Sequence, residues 1–569
     1  MGYIKLERGD KGMKFSKMPY ERVDYKKYVE EIKAYTEKLR KAATKEEAFD
    51  IHKKMTDISG HVSTMGTIAH IRHDIDTEDK FYEGEQNYYD EVEPTASESL
   101  VEYKKALYES KFKDYLIEKL GPVSFKNMEL EMRSFDPKMI PLMQEENALR
   151  TEYSKLIATA KIEWEGEELN FSLMAKYTSD KDREVRKKAY KKVTDKLMEM
   201  RPKLDEIYDK MVKNRTEQAK ILGYSTYTQL GYDRMGRNDY GPEEVKIFRE
   251  EVKKKIVPLA TKINEKRRER LGLDHLYFYD TINFKEGDPE PIGTPEEILK
   301  NGQKMYAELS PETKEFFDYM MENELFDVYG RKTKRQGGYM TSIYDHDNCP
   351  FIFANFNKTE HDVNVVTHEA GHAFQGYVTR KYLPEKNEIG METAEIHSMS
   401  MEFFTLPWMD LFFGERAEDY RRLQMEGAVT FIPYGCMVDE FQHIVYENPD
   451  MTPEERRQAW MKLEKEYRPD RDYADDEFFT TGGWWQRQQH IYSMPFYYID
   501  YCLAQTVALQ FKALMDKDYK DAWDRYLKLC KLSATDFYSN MLKEVGLKVP
   551  FEEGCLDETV KAVSKDLGL

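Results

Sequence analysis

Apolar residues in the segment IHKKMTDISGHVSTMGTIAHIRHDI (51–75) fall at positions 51, 55, 58, 62, 65, 68, 71 and 75. Steps of three and four place them on one face of a helix, so the pattern predicts a helix here. The same spacing predicts long amphipathic helices over 183–221 and 243–271, with their charge runs as solvated faces. Two stretches break this rhythm. IEWEGEELNF (162–171) alternates around Glu-Gly and predicts a small hairpin. GGYMTSIYDHDNCPFIFANFN (337–357) holds two aromatic and β-branched runs separated by the turn signal DHDNCP. DPEPIGTP (288–295) is the best loop, and neither a repeat nor a low-complexity linker is visible. The prediction is a mostly helical chain with one small sheet just ahead of 358–376.

At 569 residues the chain exceeds what one compact core holds, and two or three structural regions are expected. Its net charge of −19 repels nucleic-acid phosphates and anionic lipid surfaces, which excludes both as partners. No apolar run reaches the roughly 18 residues that a membrane span needs. The opening MGYIKLERGDKGMKFSKM lacks the apolar core of a signal peptide, and Leu6 breaks the myristoylation pattern. Five scattered cysteines without a CxxC argue against a disulfide framework and against a cysteine metal cluster. A cytoplasmic location is expected. No feature specifies an oligomeric state.

The segment VVTHEAGHAFQG (365–376) carries the candidate chemistry. Thr359 followed by Asp362 resembles a capping box, so the residues after it are expected to be helical. His368 and His372, four apart, then project from one face, as two imidazole ligands of a tetrahedral Zn²⁺ must. Glu369 is rotated one position round, where a carboxylate serves as general base, the logic of HExxH. The bland alternative is two surface histidines. Val365, Val366, Ala373 and Phe374 flank them, however, and two buried histidines beside a buried glutamate need partners that a zinc ion supplies. A third ligand is required. Six residues beyond His372 stands Val378, so a third histidine there is excluded. Glu392 has the thermolysin-like spacing, but Ile396 stands where that pattern wants an acid; Glu395 and, more weakly, His397 remain.

Glu395, Ser398 and Glu402 form E-x-x-S-x-x-x-E, which resembles the ligand helix of the thimet oligopeptidase and oligoendopeptidase F family. RTEQAKILGYSTYTQLGYDRM (215–235), GGYMTSIYDHDNCPFIFANFNKTEHDVNVVTHEAGHAFQ (337–375) and HIYSMPFYYIDYCLAQ (490–505) are similar to other stretches of that family, most like its bacterial oligoendopeptidase F and Pz-peptidase branch. The resemblance implies one Zn²⁺ per chain on His368, His372 and Glu395; Glu402, two turns along from Glu395, is either an acceptor for a ligand histidine or a plain surface carboxylate. It implies that His490 and a tyrosine, Tyr501 first and Tyr498 second, stabilise the oxyanion, while Tyr497 packs. It implies a mainly α fold with two helical lobes enclosing a deep substrate channel, and a small β-sheet beside the HExxH zincin-type helix. Residues 1–200 are expected to form the N-terminal helical lobe and 201–569 the catalytic region.

The activity so implied is zinc-dependent hydrolysis of internal bonds in short, unfolded oligopeptides, Pro- and Gly-containing collagen-type fragments among them. FIFANF (351–356) is expected to offer a strand edge to which an extended substrate adds. The alternatives are an exopeptidase of the zincin clan and an inactive relative that only binds peptides. Among the other histidines, His52, His61, His70 and His73 are expected to be surface or packing residues. His275, His346, His361 and His443 lie in no motif, with His346 exposed in a turn.

Overall fold

The computed structural model describes residues 12–569. The expectation of no signal or lipidation pattern falls mainly on residues outside these. Helices dominate, with two small sheets among the described residues. The chain divides into two units of three segments each. Met1–Met132, Glu290–Ala417 and Asp518–Gly546 form the first, and Arg133–Pro289, Glu418–Lys517 and Leu547–Leu569 the second. The expected division at 200/201 does not follow these boundaries and would cut the helix Arg183–Ile221 in two. Periodicity marks elements, but not the long-range returns that assign them to a common core.

In the first unit the helix predicted over 51–75 is Lys45–Ile75, begun by the Thr44 hydroxyl accepting from the Glu47 amide at 3.1 Å. Its stripe is buried at Met55, Val62, Met65, Ile68 and Ile71. The expected strands form as Tyr339–Ile343 and Cys349–Phe356, antiparallel, with Ile343 opposite Cys349. A third strand, Phe326–Tyr329, pairs in parallel with Cys349–Phe356, which therefore lies in the middle of the sheet. FIFANF is thus not an edge. A parallel partner arrives by a long excursion of the chain, and local alternation in four residues does not announce it. The edges belong to Tyr339–Ile343 and Phe326–Tyr329.

The same unit carries the helical run His361–Thr379, the helix Met391–Phe404 and, supporting both, the helix Tyr519–Leu532. Tyr526 and Tyr519 donate their hydroxyls to the carbonyls of His397 (2.8 Å) and Phe404 (2.6 Å). Phe374 packs its ring 5.8 Å from that of Trp523. These contacts tie the two short helices to one buried aromatic platform.

In the second unit the predicted helices appear as Arg183–Ile221 and Pro242–Leu271. Asp182 begins the first by accepting from the Glu184 amide at 2.9 Å, and its buried residues recur in steps of one, three and four from Arg186 through Ala189, Tyr190, Val193 and Leu197. Ala189, Tyr190, Val193 and Leu197 form one core with Ile162 and Trp164 of the predicted hairpin, Ile162–Trp164 paired with Glu167–Leu169. Its turn takes Glu165 and Gly166 through positive φ, 51° and 90°. Arg215 is fully buried and donates to Glu146 (2.9 Å) and to the Tyr446 hydroxyl (2.7 Å). Burial alone would raise the Glu146 carboxyl; Arg215 and then Arg150 override it and hold it at about 2.

Candidate metal centre

The capping box expected at Thr359 does not form. Asp362 instead accepts from the amides of Asn357 and Lys358, both at 2.8 Å, while the Thr359 hydroxyl turns to Asn357 at 2.6 Å. The helix begins as expected at His361–Asn364 but opens into a wide π-helical turn, Val365–Glu369, before Ala370–Thr379. Such a turn inserts one residue into the helical ladder and frees backbone groups from their usual partners. Within it, the Val366 carbonyl accepts the Tyr306 hydroxyl at 2.9 Å.

His368 and His372 remain neighbours, with ring centroids 5.1 Å apart and rings nearly perpendicular, at 85°. Glu395, from Met391–Phe404, brings Oε2 to 3.4 Å from His368 Nε2 and 3.7 Å from His372 Nε2. One ligand atom from each of the three residues lies within 4.8 Å of the others. Two imidazole nitrogens and one carboxylate oxygen converging in this way match the donor set of a zinc site in type and number. Glu402, two turns along from Glu395, accepts from His368 Nδ1 at 2.5 Å. Because a carboxylate can only accept, Nδ1 carries a hydrogen, and Nε2 is the nitrogen turned toward Glu395 and His372. The Ser398 hydroxyl, fully buried, shares its hydrogen between Glu395 Oε2 at 3.1 Å and the Glu395 carbonyl at 3.0 Å. Of the rivals, His397 is buried away from this group, with Nδ1 3.5 Å from Cys530 Sγ, and Glu392 stands apart with Thr393 at 3.3 Å.

Close approach of the two helices depends on one glycine. A Cβ at Gly371 would lie 2.7 Å from both the His397 carbonyl oxygen and the Ser398 Cα, and these are backbone atoms that cannot swing aside. Gly371→Ala is therefore expected to part the helices, moving Glu395 away from the histidines. Overpacking of this kind costs about 1–3 kcal/mol. Thermal unfolding of the metal-free variant and metal titration against a chelator should both register the change; unchanged metal affinity would contradict it.

Electrostatics separate the two histidines. Burial would lower His368, but its bonds to Glu395 and Glu402 raise it well above the ordinary value. Burial, reinforced by the nearby His368, lowers His372 to about 4, so it is neutral at neutral pH. A metal-free cluster thus holds a proton where it would otherwise hold a cation. Burial raises the Glu369 carboxyl; His368 opposes this, while Glu395 and Glu402 add to it. Such a carboxyl is better matched to proton transfer near neutral pH than an exposed one.

The residues proposed for the oxyanion gather within the second unit. His490 contacts the rings of Tyr498, Tyr497 and Tyr501 at 4.9, 5.8 and 6.3 Å. Its Nδ1 meets Gln488 Nε2 at 2.7 Å, and Gln488 in turn accepts from the Tyr434 hydroxyl at 2.7 Å. Burial lowers His490. Tyr497 is buried, in keeping with a packing role, and Phe496 just before it takes a φ of 66°. Four side chains spread over a dozen residues thus form one cluster.

Other histidines have acid partners that spacing did not reveal. His52 is buried between Tyr103 (3.1 Å) and Glu385 (2.7 Å), and His61 meets Asp345 at 2.6 Å. His346 is not exposed as expected: it is buried, and burial lowers it. All five cysteines are free and buried. Among the described residues, no helix is long and apolar enough to cross a membrane.

Comparison with known proteins places these features in a family context. The model for the peptidase M3 N-terminal domain matches residues 15–135, and that for peptidase family M3 matches residues 176–560. Oligopeptidase PepF of Bacillus subtilis (strain 168) is 24% identical over 525 residues, covering 86% of this chain and 76% of the relative. An oligoendopeptidase F homolog of Lactococcus lactis subsp. lactis (strain IL1403) is 24% identical over 371 residues, 60% of this chain and 58% of the relative. A solved structure of PZ peptidase A with an inhibitor is 45% identical and superposes with a TM-score of 0.89, covering 98% of this chain and 99% of its own.

Proposed function

The chain belongs to peptidase family M3 and is a metalloendopeptidase acting on oligopeptides, and from that premise we propose that it hydrolyses internal bonds of short, unfolded peptides with one Zn²⁺ held by His368, His372 and Glu395. The observation that carries this is the convergence of the three ligand atoms within 4.8 Å, beside a raised Glu369 carboxyl. When bound there, Zn²⁺ supplies Lewis-acid chemistry, polarising a carbonyl and making water more acidic. Glu369 accepts the proton of the attacking water on its carboxylate as the new C–O bond forms. It then gives that proton to the amine nitrogen as the C–N bond breaks.

His368 is held in one tautomer by Glu402, and Glu395 in one rotamer by Ser398. Removing either support is expected to weaken metal binding by about 10–100-fold without unfolding the protein. Ser398→Ala and Glu402→Gln, titrated with zinc against a chelator, test this; wild-type affinity in both would contradict it.

Of the two edge strands, Tyr339–Ile343 packs against the helix that bears His372. It takes the role first expected of FIFANF, pairing its free edge with an extended substrate. The family resemblance assigns oxyanion donation to Tyr501, with Tyr498 as the second candidate and His490 beside them. If Tyr501 bonds the oxyanion only as it forms, Tyr501→Phe lowers kcat by about 100–1,000-fold with little change in KM. A large effect of Tyr498→Phe with none at Tyr501 would reverse the assignment. We place the enzyme in the cytoplasm and take Pro- and Gly-containing collagen-type fragments as preferred substrates.

Metal analysis of the purified protein, combined with mass spectrometry of products from peptides blocked at both termini, tests the function. Zinc near one per chain and paired internal fragments are expected. Release of single terminal residues from unblocked peptides alone would favour the exopeptidase alternative.

A further inference from the structure

A cavity of about 170 Å³ in the second unit has no part in the chemistry above. Three arginines line it: Arg267 from the helix Pro242–Leu271, and Arg468 and Arg471 from the loop after Pro453–Tyr467. None of the three has a carboxylate within 4 Å among the described residues, although nearly every other half-buried arginine in the unit does. Arg267 Nε, Arg468 Nη1 and Arg471 Nε are buried and have no hydrogen-bond partner among the described residues. Among the described residues, the one side-chain hydrogen bond the three make runs from Arg471 Nη2 to the Phe278 carbonyl at 3.3 Å.

Nearby acids have other bonding partners: Glu464, whose carboxyl feels the charge of Arg468 and Arg471, accepts the Tyr473 hydroxyl. Glu426 takes Arg270 on both oxygens, at 2.9 and 2.7 Å, and Asp280 takes Arg183 at 2.7 Å. Asp470 and Asp472 line the cavity too, but they accept from Asn264 at 2.7 Å and face His275 at 2.8 Å. Stacking satisfies part of the need: Arg468 lies 5.3 Å and Arg471 4.9 Å from the Trp484 ring centroid. A ring takes the face of a guanidinium and leaves its in-plane N–H donors unmet. Burial, and then the charge of Arg468, lowers Arg471 to about 10, a strain that a counter-ion would relieve.

We propose that this cavity binds a small oxyanion, a phosphate or a carboxylate, through the guanidinium groups of Arg267, Arg468 and Arg471 that line it. Planar guanidinium forks match the oxygens of both groups. The volume is several times the roughly 30 Å³ that a water occupies in the liquid, enough for a group of that size.

Calorimetric titration of the metal-loaded protein with inorganic phosphate and, separately, with acetate tests the site, with chloride at matched ionic strength as the control. Saturable uptake of one anion per chain is expected, reduced about tenfold or more by Arg267→Gln and by Arg471→Gln. The tighter of the two anions identifies the source, a phosphate compound or a terminal carboxylate. In chloride alone, Arg471→Gln should unfold at a higher temperature than the wild type, because it relieves the repulsion between two adjacent half-buried guanidinium groups, Arg471 and Arg468. Added phosphate or acetate should raise the wild-type unfolding temperature and leave the variant's unchanged. A wild-type protein that takes up neither anion saturably overturns the proposal, as does uptake that survives both substitutions.

Discussion

Glu369→Gln is expected to bind zinc as the wild type does and to lose nearly all turnover. The amide keeps the size of the carboxylate but cannot accept the proton of the attacking water. Glu369 is not among the three converging ligand residues, so the metal should stay. General-base catalysis contributes about 100–10,000-fold, and the loss should fall at the upper end because burial has already raised this carboxyl. Because the interaction is realised as the proton moves, the loss should appear in kcat rather than KM. Metal content and steady-state rates on one preparation check both halves. Substantial turnover by a zinc-loaded variant would assign the base to another group.

His372→Ala and Glu395→Ala are expected to lose metal and activity together. Each removes one of three donors, and two donors do not complete a site that leaves its fourth position to water. The fall in affinity should exceed the about 10–100-fold expected of the supporting residues Ser398 and Glu402. His397→Ala is the internal control: that ring is fully buried beside Cys530 and Tyr526, so its loss should cost packing and leave metal affinity intact. Metal loss at His397 with retention at Glu395 would exchange their roles.

Much of the site was legible because HEAGH is local: the helical period alone puts His368 and His372 side by side. The π-helical turn was not, since nothing in VVTHE distinguishes it from an α-helical turn. Glu395 could be narrowed to a few candidates by spacing and singled out only by resemblance. What separates it from His397 is where each side chain goes, Glu395 to His368 and His372 and His397 to Cys530, a tertiary fact. The long helices were read to within a few residues, as their buried stripes recur over many turns. The strand Phe326–Tyr329 escaped because four residues carry too little alternation, and with it went the true position of FIFANF. The two discontinuous units escaped for a related reason: segments far apart in sequence share a core, and no local pattern records the return. His52 with Glu385, and Arg215 with Glu146, are pairs of the same kind.

X-ray absorption at the zinc edge of the purified protein tests the three-ligand centre most directly. Two imidazole nitrogens and carboxylate or water oxygens at about 2.0–2.2 Å are predicted, with no sulfur, and His372→Ala should give no bound-zinc spectrum of this kind because it no longer holds the metal. A sulfur shell near 2.3 Å, or a spectrum unchanged by the loss of His372, would contradict the site.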